Sequence, residues 1–285
     1  MINFLFKKSS QKNIRKSLNN KFPWINKINN QIDELIDQDI NLRIKEITDL
    51  HTHFFSTNGK KELKKLQDGL INLGYPKKAA EIELNLFIKI FDKTVINNLL
   101  FNPSAGLNIH KKNSKFKTDK LIMQDFGILR SPKGKILIVG SGNTLLPVIT
   151  SMVLSYIVGN VTVVQLSSLH INLIPDFIKS FPLNISQYVH FTKLNHNNLE
   201  DKYYLQLLLV SINWDVANLW GGDESIKYYL SELSKNTYRP RIVSMEPLTG
   251  VTLIQNKYIK KKAKQTAKEL AHSIFIMGQQ LCSSP

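Results

Sequence analysis

The run Lys135-Ile136-Leu137-Ile138-Val139, followed by Gly140-Ser141-Gly142-Asn143 and an apolar stretch over 145–158, decides the fold of this chain. A short β-branched run, a glycine turn and then helical spacing predict strand, turn and helix. Gly159-Asn160 makes the next turn, and 161–166 is a second β run. Further out, 171–180 predicts a helix, 188–192 a strand, and the apolar run 207–212 continues the alternation. Val216–Trp220 precedes Gly221-Gly222, Arg241–Met245 is another strand candidate, and 260–280 predicts a long helix rich in Ala and Lys. Strands alternating with helices predict a parallel α/β sheet.

Upstream the rhythm differs. Residues 1 to about 120 are mostly helical in pattern and polar. Ile32, Leu35, Ile36, Ile40 and Ile44 form a helical stripe that Ile47 and Leu50 continue, predicting a helix over 30–50. A second stripe, Ile82, Leu84, Leu86, Phe87, Ile90 and Phe91, predicts a helix over 77–100 entered through Pro76. The basic segment 111–120 is poor in apolar residues and is expected to be a linker or an exposed excursion. No internal repeat is visible.

Composition narrows the class. With 285 residues and 42% hydrophobic, the chain can bury a core in one large domain or two ordinary ones. A single cysteine excludes a disulfide framework and a Cys-rich zinc module, and suits a reducing compartment. The net charge of +16 invites a polyanionic partner, but the Lys, Asn and Ile bias runs along the whole chain. A spread-out bias of this kind is no patch, so no nucleic-acid partner is expected. Met1 to Phe6 is too short for a signal sequence. Residues 136–175 contain no Asp, Glu, Lys or Arg, yet Gly140, Gly142, Pro147, Gly159 and Pro175 break them into strand, helix and strand, so no membrane span is expected.

Several residues could carry chemistry, and each has a plainer explanation. Strand, Gly140-Ser141-Gly142, helix has the outline of a dinucleotide fingerprint, but Leu145 stands where the third glycine belongs. Asn143 at the strand end could donate to a developing oxyanion, or could serve the turn alone. Cys282 is a nucleophile if a base and an oxyanion donor accompany it, and otherwise a small buried hydrophobe. Glu246 at the end of a strand candidate could be that base. In Trp220-Gly221-Gly222-Asp223-Glu224 the glycines let backbone approach a ligand, while the acidic pair could simply start a helix. His51 and His53 have metal spacing if they lie on a strand, but no third ligand follows, so no metal site is expected.

Together these pieces have an order and spacing that single motifs lack. Val139-Gly140-Ser141-Gly142-Asn143, Ser167-Ser168, Trp220-Gly221-Gly222-Asp223-Glu224, Met245-Glu246-Pro247 with Thr249-Gly250, and Gln279-Gln280-Leu281-Cys282-Ser283-Ser284-Pro285 resemble the acyl-CoA reductases of the LuxC type. That family makes long-chain fatty aldehyde for bacterial bioluminescence and belongs to the aldehyde dehydrogenase superfamily. The resemblance spans roughly residue 74 to the last. It implies an aldehyde-dehydrogenase-like, doubly wound parallel α/β sheet behind a helical N-terminal region. The implied divisions are 1–120 for that region, 121–245 for a Rossmann-like cofactor domain and 246–285 for the start of a catalytic domain.

The same resemblance implies roles. Cys282 takes the acyl group as a thioester, Glu246 lies 36 residues before it as general base, and Asn143 lies 139 residues before it as oxyanion donor with the Cys282 backbone N–H. Gln165, Ser167, Gly221 and Gly222 fall in the cofactor-binding segments. The implied activity is reduction of long-chain acyl-CoA, or another activated acyl group, to aldehyde with NADPH, NADH being possible. A cytoplasmic location, acyl-protein synthetase and acyl-transferase partners, and a homo-oligomer in the full-length family are also implied.

Departures from the family pattern carry expectations of their own. Gln165 stands where a Lys usually contacts the cofactor ribose or its phosphate, so NADP binding should weaken by about ten- to a hundredfold, or ~1.5–3 kcal/mol. Leu248 stands where Arg is common. The chain ends three residues past Cys282, which implies truncation just after the nucleophile with the catalytic domain largely missing. Misplacing reacting groups by about an ångström can cost about a hundredfold. Alternatives therefore stay open: an inactive remnant or binding subunit of a fatty acid reductase complex, an aldehyde-oxidising relative, or a nucleic-acid module motivated by charge alone.

Overall fold

A computed structural model describes residues 8–101, 118–120, 127–129, 132–195, 198–245 and 256–275. It begins with helices: α1 (Lys8–Lys21), a 3-10 turn (Pro23–Asn26), α2 (Ile28–Asp37), α3 (Ile40–Phe55), α4 (Thr57–Asn72), α5 (Lys77–Ile90) and α6 (Lys93–Phe101). The two long stripes are each cut in two. Asp39 caps α3 by accepting the Asn41 N–H at 2.8 Å, and Asp92 caps α6 by accepting those of Thr94 and Val95 at 2.8 and 3.1 Å. Apolar residues on both sides of each break face the same core, so periodicity runs through it, while the capping Asp marks where a new helix starts. Pro76 is the N-cap residue of α5.

Two short strands, β1 (Thr118–Lys120) and β2 (Gly127–Leu129), pair antiparallel. The end of the basic segment expected to be a linker is therefore strand, and the expected division at 120/121 falls inside this pair. Next come β3 (Lys135–Val139), α7 (Leu146–Ile157), β4 (Val161–Gln165), α8 (Leu173–Ile178), α9 (Leu183–Ser186) and β5 (Val189–Thr192). They are followed by α10 (Leu199–Ser211), β6 (Val216–Trp220), α11 (Asp223–Leu233), β7 (Arg241–Met245) and α12 (Asn256–Phe275). The apolar run 207–212 is mostly the end of α10.

The main sheet has the order β5-β4-β3-β6-β7, every neighbouring pair parallel. The chain steps from β3 outward to β5, then returns to the other side of β3 and steps outward again, which is doubly wound. Strands β3 and β4 are buried at all five positions, as mostly apolar runs require in a sheet covered on both faces. Positive φ at Gly134 (113°) and Gly159 (84°) turns the chain into β3 and into β4. At Gly134 a Cβ would also stand 2.7 Å from Asp215 Oδ2.

One continuous apolar cluster joins helices to sheet, from Leu18 to Leu233. Helices α3 and α5 pack on α7, and α7 packs on β3 and β4. Phe54, Phe87, Phe91, Phe177 and Phe181 stack and tilt against one another between α3, α5 and α8. Buried Arg43 ties two helix ends together, donating to Leu35 O at 2.6 Å and Gln38 O at 2.7 Å at the end of α2 and to Ile157 O at 2.9 Å at the end of α7. Among the described residues no helix is long and apolar enough to cross a membrane. Residues 136–175 are strand, helix, strand and a short helix.

Candidate active site

In a doubly wound sheet ligands bind beyond the carboxyl ends of the strands, where the winding reverses. Here the reversal lies between β3 and β6, so the turns after β3, β4 and β6 form the crest. Gly140 to Leu145 follow β3, Leu166 to His170 follow β4, and Gly221-Gly222 follow β6. The Gly140 N–H donates to Gln165 O at 2.9 Å, and a Cβ at Gly140 would come within 2.7 Å of Val148 Cγ2. At Gly142 a Cβ would stand 3.8 Å from Ser167 Oγ, so the turns after β3 and β4 lie side by side. Asn143, half-buried, sits in that turn just before α7.

Buried polar side chains from the N-terminal helices hold these turns. Glu83 of α5 is 4% exposed, and its Oε1 accepts the Thr144 hydroxyl at 2.6 Å and the Leu145 N–H. Burial pushes its carboxyl above the usual carboxylate range, against the pull of those bonds. His170, 1% exposed, joins Tyr75 Oη to its Nε2 at 2.9 Å and Ser167 Oγ to its Nδ1 at 3.3 Å. Burial holds the ring down at about 4, opposed by a bond with the Ser141 backbone. A neutral ring, donor on one nitrogen and acceptor on the other, suits these partners. Burial, then the nearby Glu83 charge, raises the Tyr75 phenol.

Gln165 points into the protein. It is 3% exposed, its amide donates to Leu166 O and Leu194 O at 3.0 Å each, and its Oε1 accepts the Thr192 hydroxyl. One amide proton goes to the next residue's carbonyl and the other crosses to the chain just after β5, so both are used within the protein. The register of β4 against β5, with Gln165 opposite Thr192, brings the two side chains together.

Across the switch point, few described residues lie near the crest. A Cβ at Gly222 would meet nothing within 4 Å, and one at Gly221 only Ser225, at 3.3 Å. Asp223 and Glu224 occupy the first turn of α11, where the helix dipole favours carboxylates. Glu246, next in the chain after β7, and Cys282 lie outside the described residues. His51 and His53 lie on α3 instead of a strand. Two positions apart on a helix they diverge, His53 Nε2 meeting Glu62 at 2.9 Å and His51 standing edge-on to Phe55.

Tyr75, Glu83 and His170 escape a motif search because no short spacing unites them. A signal for Glu83 does exist. Leu86 is 44% exposed, and the true buried face of α5 runs through Ala80, Glu83, Leu84 and Phe87, which puts a carboxylate on an apolar stripe.

The fold defines an aldehyde-dehydrogenase-like protein. Succinic semialdehyde dehydrogenase from Streptococcus pyogenes, solved with NADP+, superposes with a TM-score of 0.65 at 14% identity over 98% of this chain and 54% of that one. The glyceraldehyde-3-phosphate dehydrogenase GapN of Methanocaldococcus jannaschii, complexed with NADP, gives 0.62 at 14% over 96% and 54%. Propionaldehyde dehydrogenase from Rhodopseudomonas palustris, with bound propionyl-CoA, gives 0.60 at 10% over 89% and 50%. The chain spans about half the length of these structures. No curated protein matches the sequence. Residues 124–285, more than half the chain, match the family model for acyl-CoA reductase (LuxC), and the chain belongs to that family.

Proposed function

We propose that this chain carries the cofactor crest and the nucleophile of a reductase that converts long-chain acyl-CoA to fatty aldehyde. The observation that carries this reading is the crest itself: Asn143 and Ser167 on adjoining turns after β3 and β4, with the glycine turn Gly221-Gly222 after β6, the neighbouring strand. Family membership supplies the substrate class, and the propionyl-CoA bound by the Rhodopseudomonas neighbour supports a CoA thioester.

In this reading the Cys282 thiol gives its proton to Glu246 and attacks the acyl carbonyl. Asn143 donates to the oxyanion, and collapse expels CoA as its thiol, leaving the acyl group on Cys282. The crest fits a nicotinamide cofactor: Gly221 and Gly222 leave backbone approachable, and the Ser141 hydroxyl is buried there without a partner. Ser167, Gly221 and Gly222 would hold it. When bound, the reduced cofactor supplies the hydride that releases aldehyde and regenerates the thiol. NADPH is the first candidate, as in the family, and NADH is the second; Gln165, which offers no cation to a 2′-phosphate, is what keeps NADH open. The neighbours solved with NADP+ support the nicotinamide class.

The test is acyl capture. The chain is incubated with radiolabelled tetradecanoyl-CoA beside Cys282→Ala. Label retained by the parent, absent from the variant and released by NADPH is expected. A folded parent that takes up no label would favour the remnant or binding-subunit alternative.

A further inference from the structure

The cap of α7 is borrowed. Leu145, its N-cap residue, makes no side-chain cap of its own. The acceptor comes instead from Glu83, on a helix 62 residues earlier, which takes the Leu145 N–H and the Thr144 hydroxyl on Oε1. Thr144 Oγ1 in turn accepts the Leu146 N–H at 3.3 Å. A Ser or Asp at position 145 could cap this helix locally. A buried carboxyl reaching in from another helix is costly, and its second oxygen, Oε2, is buried with no partner. What the remote arrangement adds is rigidity where a local cap would add none. It clamps the two residues after Asn143 to the helical layer, leaving Asn143 little freedom to turn.

The geometry points to Glu83 as a positioning residue for Asn143: by holding Thr144 and Leu145 it sets where the amide of Asn143 is presented at the crest. This rests on the assignment of Asn143 as oxyanion donor. Small misplacement of such a donor is expensive, because the stabilisation depends on donors already aimed where charge develops.

The test uses the full 285-residue chain with Glu83→Gln, which keeps an acceptor oxygen, and Glu83→Leu, which removes it. Amide hydrogen exchange is followed in peptides covering 143–147, with the β4 peptide as reference. Glu83→Leu should speed local exchange by about tenfold or more while the reference is unchanged. In the capture assay it should slow acylation at saturating tetradecanoyl-CoA by about ten- to a hundredfold without raising the apparent KM, and Glu83→Gln should stay near the parent. In an Asn143→Ala background Glu83→Leu should have no further effect, which a merely structural role would not produce. If Glu83→Leu does not fold, Thr144→Val, which removes the hydroxyl donor, takes its place. Unchanged exchange, or capture defects that multiply in the double variant, would overturn the proposal. A parent that captures nothing, or Asn143→Ala that captures as fast as the parent, removes the functional reading and the positioning role with it. The exchange arm then decides separately whether Glu83 clamps the turn.

Discussion

At the ends of β3 and β4 the polar side chains Glu83, His170 and Gln165 are buried and bonded, whereas at the ends of β6 and β7 the described residues leave space around the backbone. Gly222 has nothing within 4 Å of where a Cβ would be, and Met245 is 45% exposed. A buried polar group is costly unless its partners are in place, so the first half holds its shape whether or not a ligand is present. Among the described residues the second half has few contacts at its glycine turn. One half of the crest is built for precision and the other for access.

The largest way to break the contrast is acid. Folded His170 titrates at about 4, against an ordinary 6.5, so between those values the unfolded chain binds a proton that the folded chain does not. Stability from this group is complete above about pH 6.5, falls as pH drops, and is lost through about pH 4, in total about 3 kcal/mol. Urea midpoints at about pH 7.5 and about pH 4.5 should fall further for the parent than for His170→Gln. His190, held at about 4 by burial and then by Lys27, contributes equally to both chains and cancels.

Next in size is Gln165→Leu. It removes the donors to the Leu166 and Leu194 carbonyls and leaves the Thr192 hydroxyl only the Val164 carbonyl at 3.4 Å, and should cost about 1–3 kcal/mol in urea denaturation. NADPH affinity, read by fluorescence titration, should move by less than about twofold. The opposite outcome, intact stability and weakened binding, would return Gln165 to the cofactor.

Smallest for the fold is Gly222→Ala, expected to change stability by no more than about 0.5 kcal/mol because the added methyl meets open space. Cofactor affinity should still fall by about tenfold if that space is where the ligand lies. No change in affinity would mean the open half serves something else.

Much of this was legible in order along the chain. The β3, Gly140-Ser141-Gly142 turn and α7 were, because strand and helix periodicities differ and glycines punctuate them. So were β4, β6 and β7, and the start of α11 behind its acidic pair. The helix breaks at Asp39 and Asp92 were hidden under continuous stripes, and β1 under a basic segment that looked like linker. In the candidate site, the places of Asn143, Ser167, Gly221 and Gly222 just after strands were legible, while their roles came only from the family resemblance. The direction of Gln165 was not legible, since a polar residue at a strand end suits a ligand as well as a neighbouring strand.

Local chemistry therefore determined which segments become strands and turns, and hence which residues reach the carboxyl edge of the sheet. Only the tertiary structure decided which of them are held there. Tyr75 meets His170 from 95 residues away and Glu83 meets Leu145 from 62 away, and apart from Glu83's place on an apolar stripe each is unremarkable until packing removes water from around it. Burial then makes each hydrogen bond obligatory, and that physics has no signature in sequence spacing.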